Sequence, residues 1–312
     1  MDEIQRMLQR NWGVCRFSHL RRIGLDRFQI RELVDHGLLM KTARGTYALP
    51  SARPDIVKAA GQNVSLACLP AASARGLWVW KPAAVPHVVR DSAKEIPGCV
   101  VHRGKRSARQ LVVSEFDAVC QAFRCAPAWQ ALVVAEGAVA GGRVMLRDLE
   151  SHFSGSRDWR IRLLIGRIRA DSQSMPETLA RLALEDAGFQ VSTQVQIAGV
   201  GRVDGVVNGG LVYEVDGRKF HSGPQDFEND RRRWNSLIMQ GIPVVRIPAR
   251  WILQDPNSVL RIVSEALSAM KSAPSVPALV KAERVGARGV DVQHRGNNEW
   301  DNWEGEGAAI GW

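Results

Sequence analysis

RVDGVVNGGLVYEVDG, residues 202–217, has the pattern of a β-hairpin, in which two apolar segments flank the turn-forming Asn-Gly-Gly of residues 208–210. If these three residues form the loop, Val207 faces Leu211, and the register of both strands is fixed. A two-residue loop would change the register and send one strand's side chains to the opposite face. The length of the loop therefore decides which side chains meet.

An odd-numbered loop brings acidic residues together on one face of this hairpin. Counting outward from the loop places Asp204 directly opposite Glu214, and directly opposite residues share a face. Side chains alternate along a strand, so Asp216 lies on that face as well. Like charges in such positions destabilise a sheet, and burial adds to the cost. A bound cation would reverse the effect.

Carboxylates in this arrangement are typical of a magnesium site. Mg²⁺ takes a few carboxylate oxygens and keeps several waters, and a bound metal activates water and neutralises charge on a scissile phosphate. The acids therefore predict metal-dependent hydrolysis of phosphodiester bonds, and we expect Mn²⁺ to substitute for Mg²⁺.

The flanking sequence predicts an α/β fold, a mixed sheet flanked by helices. SMPETLARLALEDAGF, residues 174–189, predicts a helix with Ser174 as N-cap and Gly188 as its stop. Three strands, a second helix, a further strand and a closing helix follow, up to about residue 272. This order resembles the core of the restriction-endonuclease-like fold.

The acidic residues themselves resemble those of the PD-(D/E)xK nuclease superfamily, and more closely its Vsr-like endonuclease branch. The resemblance implies that Asp204 and Glu214 bind the metal. Asp216 stands where the superfamily usually has lysine, a departure that is frequent in the Vsr-like branch. The Vsr-like pattern continues through His221 and Asp230. His221 is then a general base or a phosphate contact, with stabilisation of a turn as the alternative.

Two of the candidate catalytic acids also have structural interpretations. Glu177 follows Ser174 by three positions and fits a helix capping box, while the superfamily often places a metal-binding Glu on this helix. Asp216 faces Arg202 in the predicted register and fits a cross-strand ion pair.

Residues 1–50 predict a small DNA-binding domain of the winged helix-turn-helix type. Three helices, the second with Ser18 and the third with Asp26 as N-cap, precede two short strands around Arg44-Gly45. Residues 13–39 and 44–50 resemble the winged helix of AbiEi-type antitoxins, which implies binding to operator DNA. The alternative is a protein-binding winged helix. The basic residues expected to contact DNA here and in the C-terminal domain are Arg27, Arg31, Lys41, Arg44, Arg231, Arg232 and Arg233.

Composition agrees with a nucleic-acid partner. The 312-residue chain has a formal net charge of +10, which favours a polyanion, although charge that only aids solubility is the alternative. The five cysteines form no CxxC or Cys/His ligand pattern, and His87 and His102 each stand alone between apolar segments. We therefore interpret these residues as structural, not as a zinc site. Apolar runs are too short to span a membrane and no signal peptide is evident, so a cytoplasmic protein is expected.

The predicted domains are a winged helix (1–50), an α+β middle domain of unassigned role (51–160), the endonuclease domain (161–274) and a disordered tail (275–312). The leading hypothesis is a DNA-binding, Mg²⁺-dependent endonuclease of a phage, mobile-element or defence system. The alternatives are an antitoxin-like repressor whose nuclease fold is an inactive scaffold, and a mismatch-directed repair endonuclease. A homodimer and a protein partner for the tryptophan-containing tail both remain open.

Overall fold

The computed structural model of the chain describes residues 2–90, 95–103, 110–217 and 224–272. The described residues fold into two compact units of mixed α/β structure, the first formed by those up to residue 126 and by 143–163, the second by 127–142 and those from 164 to 272. None of the described helices has the length and apolar character that crossing a bilayer requires.

The elements up to the end of α6 all belong to the first unit. They are α1 (Asp2–Arg10), β1 (Val14–Arg16), α2 (Phe17–Arg22), α3 (Arg27–Asp35), β2 (Met40–Ala43), β3 (Thr46–Ala48), α4 (Pro54–Gly61), β4 (Ser65–Leu66), α5 (Cys68–Ala74), β5 (His87–Arg90), β6 (Val100–Arg103) and α6 (Glu115–Cys125).

The elements that follow are α7 (Ala128–Ala140), α8 (Leu146–His152), α9 (Trp159–Ile165), α10 (Met175–Asp186), β7 (Val191–Ile197), β8 (Gly201–Val207), β9 (Leu211–Asp216), α11 (Pro224–Met239), β10 (Val244–Pro248), α12 (Ala249–Gln254) and α13 (Ser258–Ser272). Of these, α7 lies in the second unit and α8 in the first, whereas the sequence predicts one middle domain over residues 51–160.

Three helices and a three-stranded antiparallel sheet, in the order β1-β3-β2, form the N-terminal part of the first unit. Their shared core consists of Leu8, Cys15, Leu20, Ile30, Leu39 and Tyr47. The predicted order of helices and strands is confirmed, with β1 as an additional strand. Asp26 caps α3 as predicted, since its side chain accepts the Gln29 N–H at 2.8 Å. The prediction that Ser18 caps α2 is wrong, because α2 begins at Phe17 after the N-cap Arg16.

A second sheet in the first unit has the order β4-β5-β6, antiparallel between β4 and β5 and parallel between β5 and β6. On one face, Val88 packs with Ala59 of α4 and with Val101. His87 and Val89 alternate with Val88 and lie on the other face. His102 is the register partner of Val89, so both histidines share that face.

The second unit contains a four-stranded sheet in the order β10-β9-β8-β7, in which β10 runs parallel to β9 and the other neighbours are antiparallel. The order of α10, three strands, α11 and β10 agrees with the sequence prediction, and α10 begins after the N-cap Ser174 as expected. The helix α12 was not predicted.

The loop of the β8–β9 hairpin has the odd length on which the acidic face depends. Val207 pairs with Leu211, and residues 208–210 form the turn between them. Asn208 and Gly209 adopt left-handed φ values of 49° and 68°, a conformation that Asn and Gly accept most readily. The predicted register is therefore confirmed.

Two buried, oppositely charged residues join α7 to α10 within the second unit. The side chains of Glu136 and Arg181 are 0% and 1% exposed, and their closest oxygen and nitrogen lie 2.7 Å apart. The Glu136 carboxylate also accepts hydrogen bonds from the Thr178 hydroxyl at 2.6 Å and the Arg169 N–H at 2.9 Å. The other terminal guanidinium nitrogen of Arg181 donates a hydrogen bond to the Glu185 carboxylate at 2.8 Å. All of these charged groups are compensated.

Gly205 on β8 is required by the ring of Tyr213, which is fully buried and lies across it. A Cβ at position 205 would overlap the ring, so we expect Gly205→Ala to lower the free energy of unfolding by about 1–3 kcal/mol, as overpacking does elsewhere. Gly210→Ala is the matched control, because its Cβ would meet only the Met270 Cε, at 3.7 Å. Equal stability of the two variants in chemical denaturation would contradict this packing.

Candidate functional site

Asp204 lies where the ladder between β8 and β9 ends. The last paired residues are Gly205 and Tyr213, so the next position in this register places Asp204 level with Glu214. The Asp204 Oδ2 accepts the backbone N–H of Val215 at 2.8 Å. The side chain therefore reaches across to β9 beside Glu214, and the two acids that the sequence places opposite each other are neighbours.

On the other side of Asp204, the backbone of β7 is distorted. Thr193 pairs with Gly205 and Val195 pairs with Val203, which leaves Gln194 level with Asp204. Gln194 has a left-handed φ of 51°, which costs a residue of this kind about 1–3 kcal/mol. Such strain is common at functional sites, and here it lies directly beside an acidic residue.

Glu177 is held at the start of α10 by a set of hydrogen bonds. Its carboxylate accepts from the Ser174 hydroxyl at 2.7 Å, the Gln173 N–H at 3.2 Å and the Gln194 side-chain amide at 2.9 Å. The Ser174 Oγ accepts the Glu177 N–H at 3.4 Å, which confirms Ser174 as N-cap, but the Glu177 carboxylate accepts the N–H of Gln173 instead of Ser174, so the reciprocal half of the predicted capping box is not formed. Burial raises the pKa of Glu177, and the negative charge of Asp204 adds to this effect. The charge of Glu177 is thus electrostatically coupled to the charge of Asp204.

Burial also raises the pKa of Asp204 above its ordinary value. The hydrogen bond from Val215 and the positive charges of Arg233, Arg202 and Arg246 act in the opposite direction without cancelling the effect. Carboxylates whose pKa is perturbed by burial are enriched at functional sites.

The other two acids of the face are paired with arginines. Glu214 accepts a hydrogen bond from the Arg233 guanidinium at 3.0 Å, and its second oxygen lies 3.9 Å from the Arg246 Nε. Arg246 also pairs with Asp216 at 2.9 Å and stacks over the Trp234 ring, 3.8 Å from its centroid. The alternative pairing of Asp216 with Arg202 is wrong, because β10 supplies the partner.

The two arginines beside Glu214 retain unused donor capacity. The Nε atoms of Arg233 and Arg246 are buried and make no hydrogen bond to any described part of the chain. Buried donors without partners are unusual in native structures and call for an explanation. An anionic group that enters this face would satisfy them.

No family model matches the chain, and no curated protein matches it.

The residues predicted to contact DNA differ in their exposure. The predicted DNA contacts that lie exposed at the surface are Arg27, Arg31, Lys41, Arg44, Arg231 and Arg232. Arg233 points instead to Glu214 and to the carbonyl oxygen of Arg202. His221 lies outside the described residues, as do the side chain of Asp230 and the whole of the predicted tail.

The three acids predicted to bind the metal do not form one compact cluster. Among the described residues, Asp204, Glu214 and Asp216 do not form a group whose ligand atoms all lie within 4.8 Å of one another. Mg²⁺ is commonly held by one or two carboxylates and by the phosphates of its substrate, so the pair Asp204 and Glu214 fits this ion. Binding at Glu214 requires the Arg233 and Arg246 pairs to rearrange.

The group that does meet this distance consists of Cys68, His87, His102 and Cys125 in the first unit. The prediction that the two histidines stand alone is wrong, because the His87 Nδ1 lies 3.2 Å from the His102 Nε2. The Cys125 Sγ lies 3.6 Å from the same His87 nitrogen. The hydrogen bond from the Cys68 thiol, followed by those from the two imidazoles, lowers the pKa of Cys125 to about 3, against burial.

Sequence reasoning missed this cluster because zinc sites are usually recognised by closely spaced ligand pairs. Here each ligand belongs to a different element: the start of α5, the start of β5, the middle of β6 and the end of α6. The sequence carried only a weak signal. Each histidine lies in a short strand, a cysteine-containing helix precedes the first strand and another follows the second, and the two histidines point to the same face.

Proposed function

We propose that this protein binds DNA through its N-terminal helices and hydrolyses DNA with a Mg²⁺-dependent endonuclease site on the second unit. The observation that carries the proposal is the position of Asp204, which lies one residue beyond the last paired residues of the hairpin and accepts the N–H of Val215, the residue after Glu214. The raised pKa of Asp204 supports it, because a bound cation would compensate the buried carboxylate.

In the proposed site, Asp204 and Glu214 would hold the metal. When bound, it would supply an activated water and positive charge for the phosphate. Arg233 and Arg246 provide positive charge beside Glu214, a role that the superfamily gives to the lysine replaced here by Asp216. Arginine guanidinium groups are suited to phosphate oxygens. Asp216 then acts by positioning Arg246, which it holds at 2.9 Å.

Glu177 and His221 have supporting roles in this proposal. Glu177 keeps the start of α10 and Gln194 in place and adds negative charge near Asp204. His221 follows β9 in sequence, and we assign it proton transfer to or from the reacting water.

DNA recognition is assigned to the winged helix-turn-helix formed by α1 to β3. α3 presents Arg27 and Arg31 to solvent, and the turn between β2 and β3 presents Arg44, with Lys41 nearby on β2. A helix of this kind enters the major groove while the adjoining wing contacts the backbone. Phosphate contacts by the basic residues then supply much of the affinity.

A second candidate function is a DNA-binding repressor whose nuclease-like unit is an inactive scaffold. The pairing of Glu214 and Asp216 with arginines favours it, because charge-compensated carboxylates need no metal. DNA cleavage assays in Mg²⁺ and in Mn²⁺ separate the two candidates. Metal-stimulated cleavage supports the endonuclease. Sequence-specific binding to the promoter of the protein's own gene, without cleavage, supports the repressor.

Arg27→Ala/Lys41→Ala is expected to weaken DNA binding uniformly across sequences. Loss of two phosphate contacts should reduce the slope of log affinity against log salt concentration by about two. The control, Arg147→Ala/Lys271→Ala, removes the same charge from other exposed positions. Fluorescence anisotropy at several salt concentrations measures both slopes, and equal slopes for the two variants would refute the assigned surface.

A further inference from the structure

We propose that Cys68, His87, His102 and Cys125 form a zinc site in the first unit. Thiolate sulfur and imidazole nitrogen are the ligands that Zn²⁺ prefers, and two of each is a common structural set. The four ligand atoms all lie within 4.8 Å of one another. The site is distinct from the acidic face of the second unit, whose oxygen ligands suit Mg²⁺.

Two of the distances between the ligand atoms match those of a tetrahedral zinc site. With bonds of about 2.0–2.1 Å to nitrogen and 2.3 Å to sulfur, tetrahedral geometry places two nitrogens about 3.3 Å apart and a nitrogen and a sulfur about 3.6 Å apart. The two histidine nitrogens are 3.2 Å apart, and the Cys125 sulfur is 3.6 Å from the His87 nitrogen. Hydrogen bonds alone also give such distances, so metal content is the decisive quantity.

The fold directs all four side chains to one place. His87 and His102 share a face of the β4-β5-β6 sheet by their register. Cys68 begins α5 and Cys125 ends α6, and these helices pack against each other.

The backbone at Cys68 is held in an unusual conformation. Its φ of 50° is left-handed, which is costly for a residue with a Cβ. Its N–H is fixed by the Gln121 side-chain oxygen at 2.8 Å. The surroundings thus impose a strained backbone at a residue that the proposal makes a ligand.

The ion would be structural in this proposal. Four protein ligands complete a tetrahedral coordination shell and leave no position for a substrate, which is the usual difference from a catalytic zinc site. Cys68 is fully buried and His87 nearly so. Zinc would therefore link α5 and α6 to the β4-β5-β6 sheet. The strands of this sheet are short, so such a link would add to its stability.

Elemental analysis of the full-length chain, purified with a reducing agent and without chelator, is the direct test. We expect about one zinc per chain. After zinc removal, Co²⁺ titration should reach an end point at one equivalent and give the visible absorption of a tetrahedral thiolate complex. The Co²⁺ titration needs no substitution, so a variant that fails to fold cannot affect its result. A wild-type chain that holds no zinc and gives no such Co²⁺ spectrum overturns the proposal.

Single substitutions locate the ion. Cys125→Ser and His102→Gln should reduce the zinc content to background, whereas Cys99→Ser should keep it, because Cys99 packs on the other face of the sheet with Val88 and Val101. Asp204→Asn should also keep it, which separates this site from the proposed nuclease site. Unchanged zinc in both ligand variants would place the metal elsewhere and overturn the assignment.

Discussion

Asp204→Asn is expected to abolish Mg²⁺-dependent DNA cleavage and at the same time to make the protein more stable at pH 7. A metal contributes several kcal/mol of transition-state stabilisation, so loss of a ligand should lower the cleavage rate by about 10³-fold or more. The amide can still accept the Val215 N–H, so the local hydrogen bond is retained. Neutralising an aspartate that has only a structural role lowers the stability of the protein. Neutralising a buried aspartate of a functional site, such as Asp204, raises it.

The pH dependence of the stability difference follows from the sign of the pKa shift. Burial raises the pKa of Asp204 in the folded protein, so the folded state binds the proton more tightly than the unfolded state. Ionisation of Asp204 therefore costs stability as the pH rises through the unfolded value and up to the folded value. The Asn side chain carries no such cost, and the advantage of the variant should disappear near pH 4, where the aspartate of the unfolded chain becomes protonated.

Thermal unfolding of both proteins between pH 4 and pH 8, without divalent ions, measures this difference. Asp171→Asn is the matched control, because Asp171 is an exposed acid of the same unit that accepts a hydrogen bond from Thr193. A variant that loses both stability and cleavage would show that Asp204 has a structural role only.

Arg181→Met is expected to cause the largest loss of stability of any substitution considered. It leaves the Glu136 carboxylate, which is fully buried, without a counter-charge. Removing one partner of a buried ion pair costs about 3–5 kcal/mol in other proteins. The exposed Arg261, paired with Glu265, provides the control, and Arg261→Met should change stability by less than about 0.5 kcal/mol.

The double variant Arg181→Met/Glu136→Gln should recover much of this loss. The amide introduced by Glu136→Gln is neutral, and its oxygen can still accept from the Thr178 hydroxyl or the Arg169 N–H. Urea unfolding at pH 7 measures the stability of the single and the double variant. Equal stability of Arg181→Met and the wild type would contradict the proposed importance of the pair.

Local sequence patterns were sufficient to predict the hairpin. The turn-forming residues 208–210 indicated the hairpin, and the register followed from the assumption that all three form the loop, as they do in the structure. The start of α10 followed from Ser174, whose side chain caps the helix. These features depend on residues close together in the chain, which is why a single sequence specifies them.

Contacts between distant segments could not be predicted in this way. Asp216 pairs with Arg246 because β10 runs parallel beside β9, and strand order in a sheet is set by packing of the whole unit. The Cys68 and His102 side chains approach each other because α5 packs against β5, the strand beside β6. Neither arrangement leaves a short spacing in the sequence.

Cleavage of supercoiled plasmid by the full-length chain, beside Glu214→Ala, tests the proposed endonuclease most directly. The wild type should nick or linearise the plasmid in Mg²⁺ or Mn²⁺ and leave it intact in EDTA. Glu214→Ala should leave it intact under all conditions while still retarding the DNA on a gel. Equal cleavage by both proteins, or retardation by both without any metal-stimulated cleavage by the wild type, would contradict the proposal.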